Sequence, residues 1–141
     1  MVTLDPGPAR WIAGKVLSFR QEKPISTVSD FLEICKGLKT GKKTLNEATL
    51  PFLAVRIAVN GELDNLKNAL PKAYGLLEDG GCLIVITFHS KEEEIVKEFF
   101  LPAGRQAVRS GSITPSLTEI DRNPRSRSAK MRILQKHDNK K

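Results

Sequence analysis

The passage LLEDGGCLIVITFHSKEEEIVKEFF, residues 76–100, constrains the fold more than any other part of this 141-residue chain. Asp79-Gly80-Gly81 is a turn signal, and the unbroken apolar run 82–88 after it reads as a strand covered on both faces. A new helix starts at Ser90. Ser90 and Glu93 have the spacing of a capping box, and Ile95, Val96, Phe99 and Phe100 form the inward face. Strands that alternate with covering helices belong to α/β proteins. The same run is the longest apolar stretch, far short of the roughly 18–20 residues that cross a bilayer. Residues 1–20 carry Asp5, Arg10, Lys15 and Arg20 and no apolar secretory core, so the expected location is the cytoplasm. Cys35 and Cys82 each sit in an apolar pattern, which predicts two small buried hydrophobes rather than a disulfide or a metal pair.

The flanking segments divide by pattern. Residues 9–22 place Trp11 or Ile12, Lys15 or Val16 and Phe19 on one helical face, and Lys23-Pro24 stops that helix. Thr27 and Asp30 form an N-cap pair for a second helix, with Phe31, Ile34, Cys35 and Leu38 at amphipathic spacing. It ends within residues 37–43, whose glycines and lysines mark a mobile loop or a domain boundary. A long helical region starts at Pro51, with Phe52, Val55, Ile57, Val59, Leu63, Leu66, Leu70 and Leu77 as its buried stripe. Asn60-Gly61 loosens it, and a kink or restart is expected at Pro71. Residues 101–112 read as a loop, 112–116 as a short strand and NPRSRS as a turn. In 129–135, Met131 and Ile133 alternate with Lys130, Arg132 and Leu134 as in a half-buried strand.

Charge is informative when located. From Arg122 to the end there are eight basic residues against Asp138 alone, which accounts for the whole net charge of +7, while residues 1–121 balance. A concentrated basic patch attracts phosphate through counterion release, so nucleic acid is the first partner to test, against a solvated basic tail. The serines between Arg125, Arg127 and Lys130 carry hydroxyls that also suit phosphate.

Three ordered segments, RIAVNGELDNLKNAL (56–70), LLEDGGCLIVITFHS (76–90) and NPRSRSAKMRI (123–133), together resemble the C-terminal part of the bacterial 16S rRNA (cytosine-N4)-methyltransferase family of the MraW or RsmH type. EKPISTVSDFLEI (22–34) resembles the helical domain which that family inserts into its core. The resemblance implies a partial Rossmann-like methyltransferase core, its C-terminal strands and helices, preceded by part of the helical insert. Residues 1–50 would be the remnant of the insert, 51–136 the core and 137–141 a basic tail. It further implies S-adenosylmethionine-dependent methylation of a cytosine N4 in the decoding region of 16S rRNA. The implied partners are that RNA or the small ribosomal subunit, with no DNA and no membrane.

The glycine-rich turn and the acid that hold the cofactor in such enzymes have no counterpart here, so no cofactor is expected to bind this chain alone, and no metal. Gly80-Gly81 precedes a strand, whereas a cofactor-cradling turn follows one and opens a helix. No residue is assigned as catalytic. The candidate RNA contacts are Arg56, Asn60, His89, Ser90, Arg125, Arg127 and Lys130. Arg56 and Asn60, four apart on one helix face, hold RNA or brace the rest of the core. His89, where a strand ends, contacts base or phosphate, or fills space beside a capping Ser90. Asn123-Pro124 lacks the aromatic and the location of an amino-methyltransferase Asn-Pro-Pro-Tyr motif.

The chain departs from the family at Lys91-Glu92-Glu93-Glu94, where a basic position has become Glu94, and at Thr49-Leu50 and Phe52-Leu53, where polar contacts are lost. A small RNA-binding module without catalysis, or a non-functional fragment, is therefore the competing expectation. A central strand deprived of the first half of its sheet exposes an edge, so self-association is expected as well.

Overall fold

The structure, a computed structural model, describes residues 5–39, 46–101, 106–107 and 112–136. The chain is α/β and divides into two compact units, Met1–Gly61 and Glu62–Lys141. Among the described residues no helix is long and apolar enough to cross a membrane.

The first unit is helical: α1 (Pro6–Glu22), α2 (Val28–Cys35) and α3 (Thr49–Asn60). Pro6 and Pro8 suit the first turn of α1, where an N–H has no intrahelical acceptor. The α2 start is the expected one. Thr27 Oγ1 accepts from the Asp30 N–H (3.1 Å), while Asp30 Oδ2 accepts from the Thr27 N–H (2.9 Å). Ile12, Ile34, Cys35 and Ala48 form the core, with Phe19, Phe31 and Leu50 against it. The stripe expected for α3 is corrected. Pro51, Ala54 and Ile57 are the buried positions, whereas Val55 and Val59 are exposed and Phe52 sets its ring edge-on to Phe31, centroids 4.8 Å apart.

The second unit begins with α4 (Glu62–Gly75). The interruption of the long helical region falls at Gly61, whose φ of +60° suits a residue without Cβ. No restart occurs at Pro71, because the one helical acceptor deprived of a donor belongs to exposed Lys67, within reach of water. Leu77 lies beyond the end of α4. After β1 (Cys82–Thr87) and α5 (Ser90–Phe100), β2 (Gln106–Ala107) interrupts the stretch expected to be loop. Residues 112–116 contribute a single bridge, Ile113 to Met131. The short α6 (Leu117–Arg122), which the sequence reading lacked, is capped by Ser116 Oγ accepting from Glu119 N–H. A 3-10 turn, Pro124–Ser128, leads into β3 (Lys130–Gln135).

The sheet order is β1-β3-β2, with β3 antiparallel to both neighbours. Leu83 and Val85 of β1 and Leu134 of β3 share one face. On it α4 and α5 pack Leu70, Ile95, Val96 and Phe100. Two expectations are overturned. Among the described residues β1 is covered on one face only, with Ile84 and Ile86 more than half exposed and Cys82 exposed rather than buried. In β3 it is Leu134, grouped by its spacing with Lys130 and Arg132, that is fully buried, because α4 and α5 cover its face and not that of Met131 and Ile133. The basic tail 137–141 lies outside the described residues, as do residues 40–45 of the expected loop.

Candidate nucleic-acid interface

The end of the ladder where β1 stops and β3 starts gathers most of the polar chemistry. The sequence there contains two overlapping cap patterns, and the second one forms. His89, not Ser90, is the N-cap of α5, and Glu92, not Glu93, closes the box. The Glu92 N–H donates to His89 Nδ1 (3.3 Å), and Glu92 Oε2 accepts from the N–H groups of Phe88 (2.8 Å) and His89 (3.2 Å). Ser90 is the first helical residue and is exposed.

Because Nδ1 accepts, the neutral ring carries its proton on Nε2. That nitrogen is buried and has no hydrogen-bond partner among the described residues. It lies 3.4 Å from Glu92 Oε1, and ligand atoms of Glu62, His89 and Glu92 all fall within 4.8 Å of one another. The trio does not suit a resident metal ion. A metal would take the Nε2 lone pair and drive the ring proton to Nδ1, against the amide that Nδ1 now accepts from. The group is the N-terminal cap of α5.

Glu93 is freed from capping and buried. Its Oε1 accepts from Arg132 Nε (2.9 Å) and Nη2 (2.7 Å), and its Oε2 lies 3.3 Å from the Thr87 hydroxyl. Burial pushes the Glu93 carboxyl up, but the Arg132 hydrogen bond and charge outweigh it, with help from Thr87 and Lys130, and hold it below the ordinary carboxylate range. This pair ties α5 to β3. Sequence reasoning missed it because Glu93 and Arg132 each fit a local pattern, the cap and the polar side of a strand. The Glu62 and His89 neighbourhood had no local signal at all.

Across the ladder, Thr87 is paired in register with Lys130. Just before it, the 3-10 turn is pinned by Ser126, which is buried and donates its hydroxyl to the Asn123 carbonyl (2.8 Å). Arg125 and Arg127 on either side of Ser126 are exposed. The turn lies against the open face of the sheet, where Ile86, Ser126, Ala129 and Met131 help line a shallow hollow of about 230 Å³. His89, Ser90, Arg125, Arg127 and Lys130 thus share one end of the sheet. Arg56 and Asn60 are exposed on α3, in the first unit.

The Gly80-Gly81 turn stands at the opposite end of β1. Its amides are already used, Gly80 N–H donating to Lys136 O (2.8 Å) and Gly81 N–H to Glu78 O (2.9 Å). Gly81 is required because a Cβ would stand 2.9 Å from the Glu78 carbonyl oxygen. With its amides engaged and no helix following, the turn does not fit the phosphate- or cofactor-cradling role.

Residues 7–137 match the family model described as the MraW methylase family. The chain is 43% identical to a ribosomal RNA small subunit methyltransferase H of Methylacidiphilum infernorum, over 89% of the chain and 45% of that protein. It is 40% identical to the one of Coprothermobacter proteolyticus (91% and 44%) and 42% identical to the one of Thermosipho africanus (91% and 44%). The chain therefore spans about half the length of these curated relatives. A match over nearly all of its residues, including the strand end and the turn just described, makes this chain a member of the MraW methylase family.

Proposed function

We propose that this chain supplies the C-terminal part of an S-adenosylmethionine-dependent enzyme that methylates the N4 of a cytosine in the decoding region of 16S rRNA, and that its own share of the work is to hold RNA. Residues 1–50 are then a remnant of a helical insert and 51–136 the last part of a Rossmann-like core. Family membership supports the reaction class, and the names of the relatives support the small-subunit RNA. One observation carries the RNA role. Arg125 and Arg127 project into solvent from a turn anchored by Ser126, make no ion pair among the described residues, and share a sheet end with Lys130, His89 and Ser90. Exposed guanidinium groups on a fixed turn suit phosphates, which position an RNA without reading its sequence.

Salt dependence tests this. Replacing Arg125, Arg127 and Lys130 together by Ala should weaken binding to a 16S rRNA fragment and flatten the slope of log affinity against log salt by about two to three, at roughly 0.7–0.9 per phosphate contact. Ala at Arg20 and Lys23 should change the slope much less. A triple variant that keeps the parent's affinity and slope refutes the RNA role.

The engaged Gly80 and Gly81 amides favour a second reading, a binding module with no cofactor of its own. The chain alone is then inactive and binds S-adenosylmethionine no tighter than about 100 μM, roughly −5.5 kcal/mol. Titration calorimetry showing tighter binding would return the cofactor site to this chain.

A further inference from the structure

The first unit carries a hollow of about 330 Å³, lined by Gly7, Pro8 and Trp11 of α1 and by Gly37, Leu38 and Lys39 beyond α2. Local sequence builds it. Trp11 follows Pro8 by three residues and Gly7 by four, which puts the three on one side of α1, while the next residue, Ile12, is buried in the core. After α2 the chain turns at Gly37, with a φ of +82° and its N–H donating to Glu47 Oε2 (2.9 Å), and Leu38 follows as a buried apolar wall. A Cβ on Gly7 or Gly37 would meet nothing within 4 Å, so the space beside both is open. Trp11 itself is 37% exposed, whereas Ile12 is 2% exposed.

The charge at this hollow has one sign. Lys39 is the charged residue of the lining, and Lys15 holds its ammonium 5.6 Å from the centre of the Trp11 ring. Arg10 and Lys36, next to Trp11 and Gly37 in sequence, are exposed. No acid lines the hollow among the described residues, and the Glu47 carboxylate is engaged by the Gly37 N–H. A flat aromatic ring set among cations is the arrangement that holds single-stranded nucleic acid, where a base stacks on the ring and the flanking phosphates meet the cations. An apolar peptide side chain would fill the hollow but leave the cations without a use. A duplex keeps its bases stacked on one another.

We propose that this hollow is a stacking subsite for one unpaired RNA base, with the Trp11 indole as the platform and Lys15 and Lys39 serving the flanking phosphates. The inference rests on the RNA role proposed above and adds what the Arg125 and Arg127 turn lacks, a contact to a base rather than to phosphate. Because every base has a π face, the subsite selects single strand over duplex without reading the sequence.

Trp11 is the only tryptophan of the chain, so its emission reports the subsite directly. The full chain is titrated with a short single-stranded piece of 16S rRNA, and with the same strand annealed to its complement, over a series of salt concentrations. The single strand should quench Trp11 emission and the duplex should not. Trp11→Leu should weaken single-strand binding at least about fivefold, the lower end for losing one stacked base, with the slope of log affinity against log salt unchanged, and Trp11→Phe should keep most of the affinity. Lys39→Ala should instead flatten that slope by about 0.7. The subsite is overturned if the single strand binds without quenching, as when a protein segment is the true occupant, or if the duplex quenches equally. Quenching is read on the unaltered chain and does not depend on the folding of any variant. Quenching that persists when Arg125, Arg127 and Lys130 are all Ala, with affinity and slope at the parent's values, removes the turn's role and keeps the subsite. Absence of any RNA binding overturns both.

Discussion

Replacing Arg132 by Met should destabilise the second unit by about 3–4 kcal/mol at pH 7, and the loss should shrink as the solution is acidified. Arg132 supplies two of the donors to Glu93, whose side chain is only 6% exposed. Without it the carboxylate keeps, among the described residues, the Thr87 hydroxyl, Lys97 at 4.0 Å and the charge of Lys130. An uncompensated buried charge of this kind costs roughly 3–5 kcal/mol. Protonation limits the loss. Carrying a proton at pH 7 on a group of ordinary pKa near 4.3 costs about 2.7 units at 1.36 kcal/mol each, so the loss saturates near about 4 kcal/mol.

The pH dependence follows from opposite shifts in the two proteins. In the parent, the folded-state pKa of Glu93 is lowered, so its contribution is complete above the unfolded value and is lost as pH falls through the folded one. In the variant, burial raises that pKa, so acid relieves the strain. The gap between the two therefore closes toward pH 4. The assay is urea unfolding at pH 7, 5.5 and 4.5, with Tyr74 reporting the second unit and Trp11 the first. Adding Glu93→Gln to Arg132→Met should recover most of the loss at pH 7, because an amide carries no buried charge. Equal midpoints for parent and Arg132→Met at pH 7, or a double variant no better than the single one, would refute the assignment of Glu93 and Arg132 as a buried ion pair.

Two further outcomes are expected. Thr27→Ala should cost the first unit about 1 kcal/mol, read through Trp11, since it removes the α2 cap and the main group holding the Asp30 carboxyl far below its ordinary range. At the strand end, His89→Asn should keep the stability of α5, because Asn caps well, while His89→Ala costs about 1 kcal/mol.

Short-range chemistry was legible in the sequence because it acts within three or four residues. The Thr27 and Asp30 cap, the β1 run and the Gly80-Gly81 turn before it, and the Ile95, Val96 and Phe100 stripe of α5 all stand where the residues imply. The residue pattern also located the exposed basic pair Arg125 and Arg127, since it needed only their spacing and the turn around them.

Where two local patterns competed, the sequence alone did not choose. Ser90 with Glu93 and His89 with Glu92 are both spaced as caps, and the choice fell to the second because Glu93 meets Arg132, 39 residues away, across the sheet. Likewise the alternation in β3 is the same whichever face is covered. Only the packing of α4 and α5 against Leu134 made that side the interior and left Ile133 and Met131 toward the open one. An apolar run such as 82–88 records the environment a strand is suited to, and what covers it depends on elements distant in the chain. Among the described residues one face and one edge of β1 stay open, and that was decided by tertiary contact, because burial is a property of neighbours brought together by folding rather than of adjacent residues.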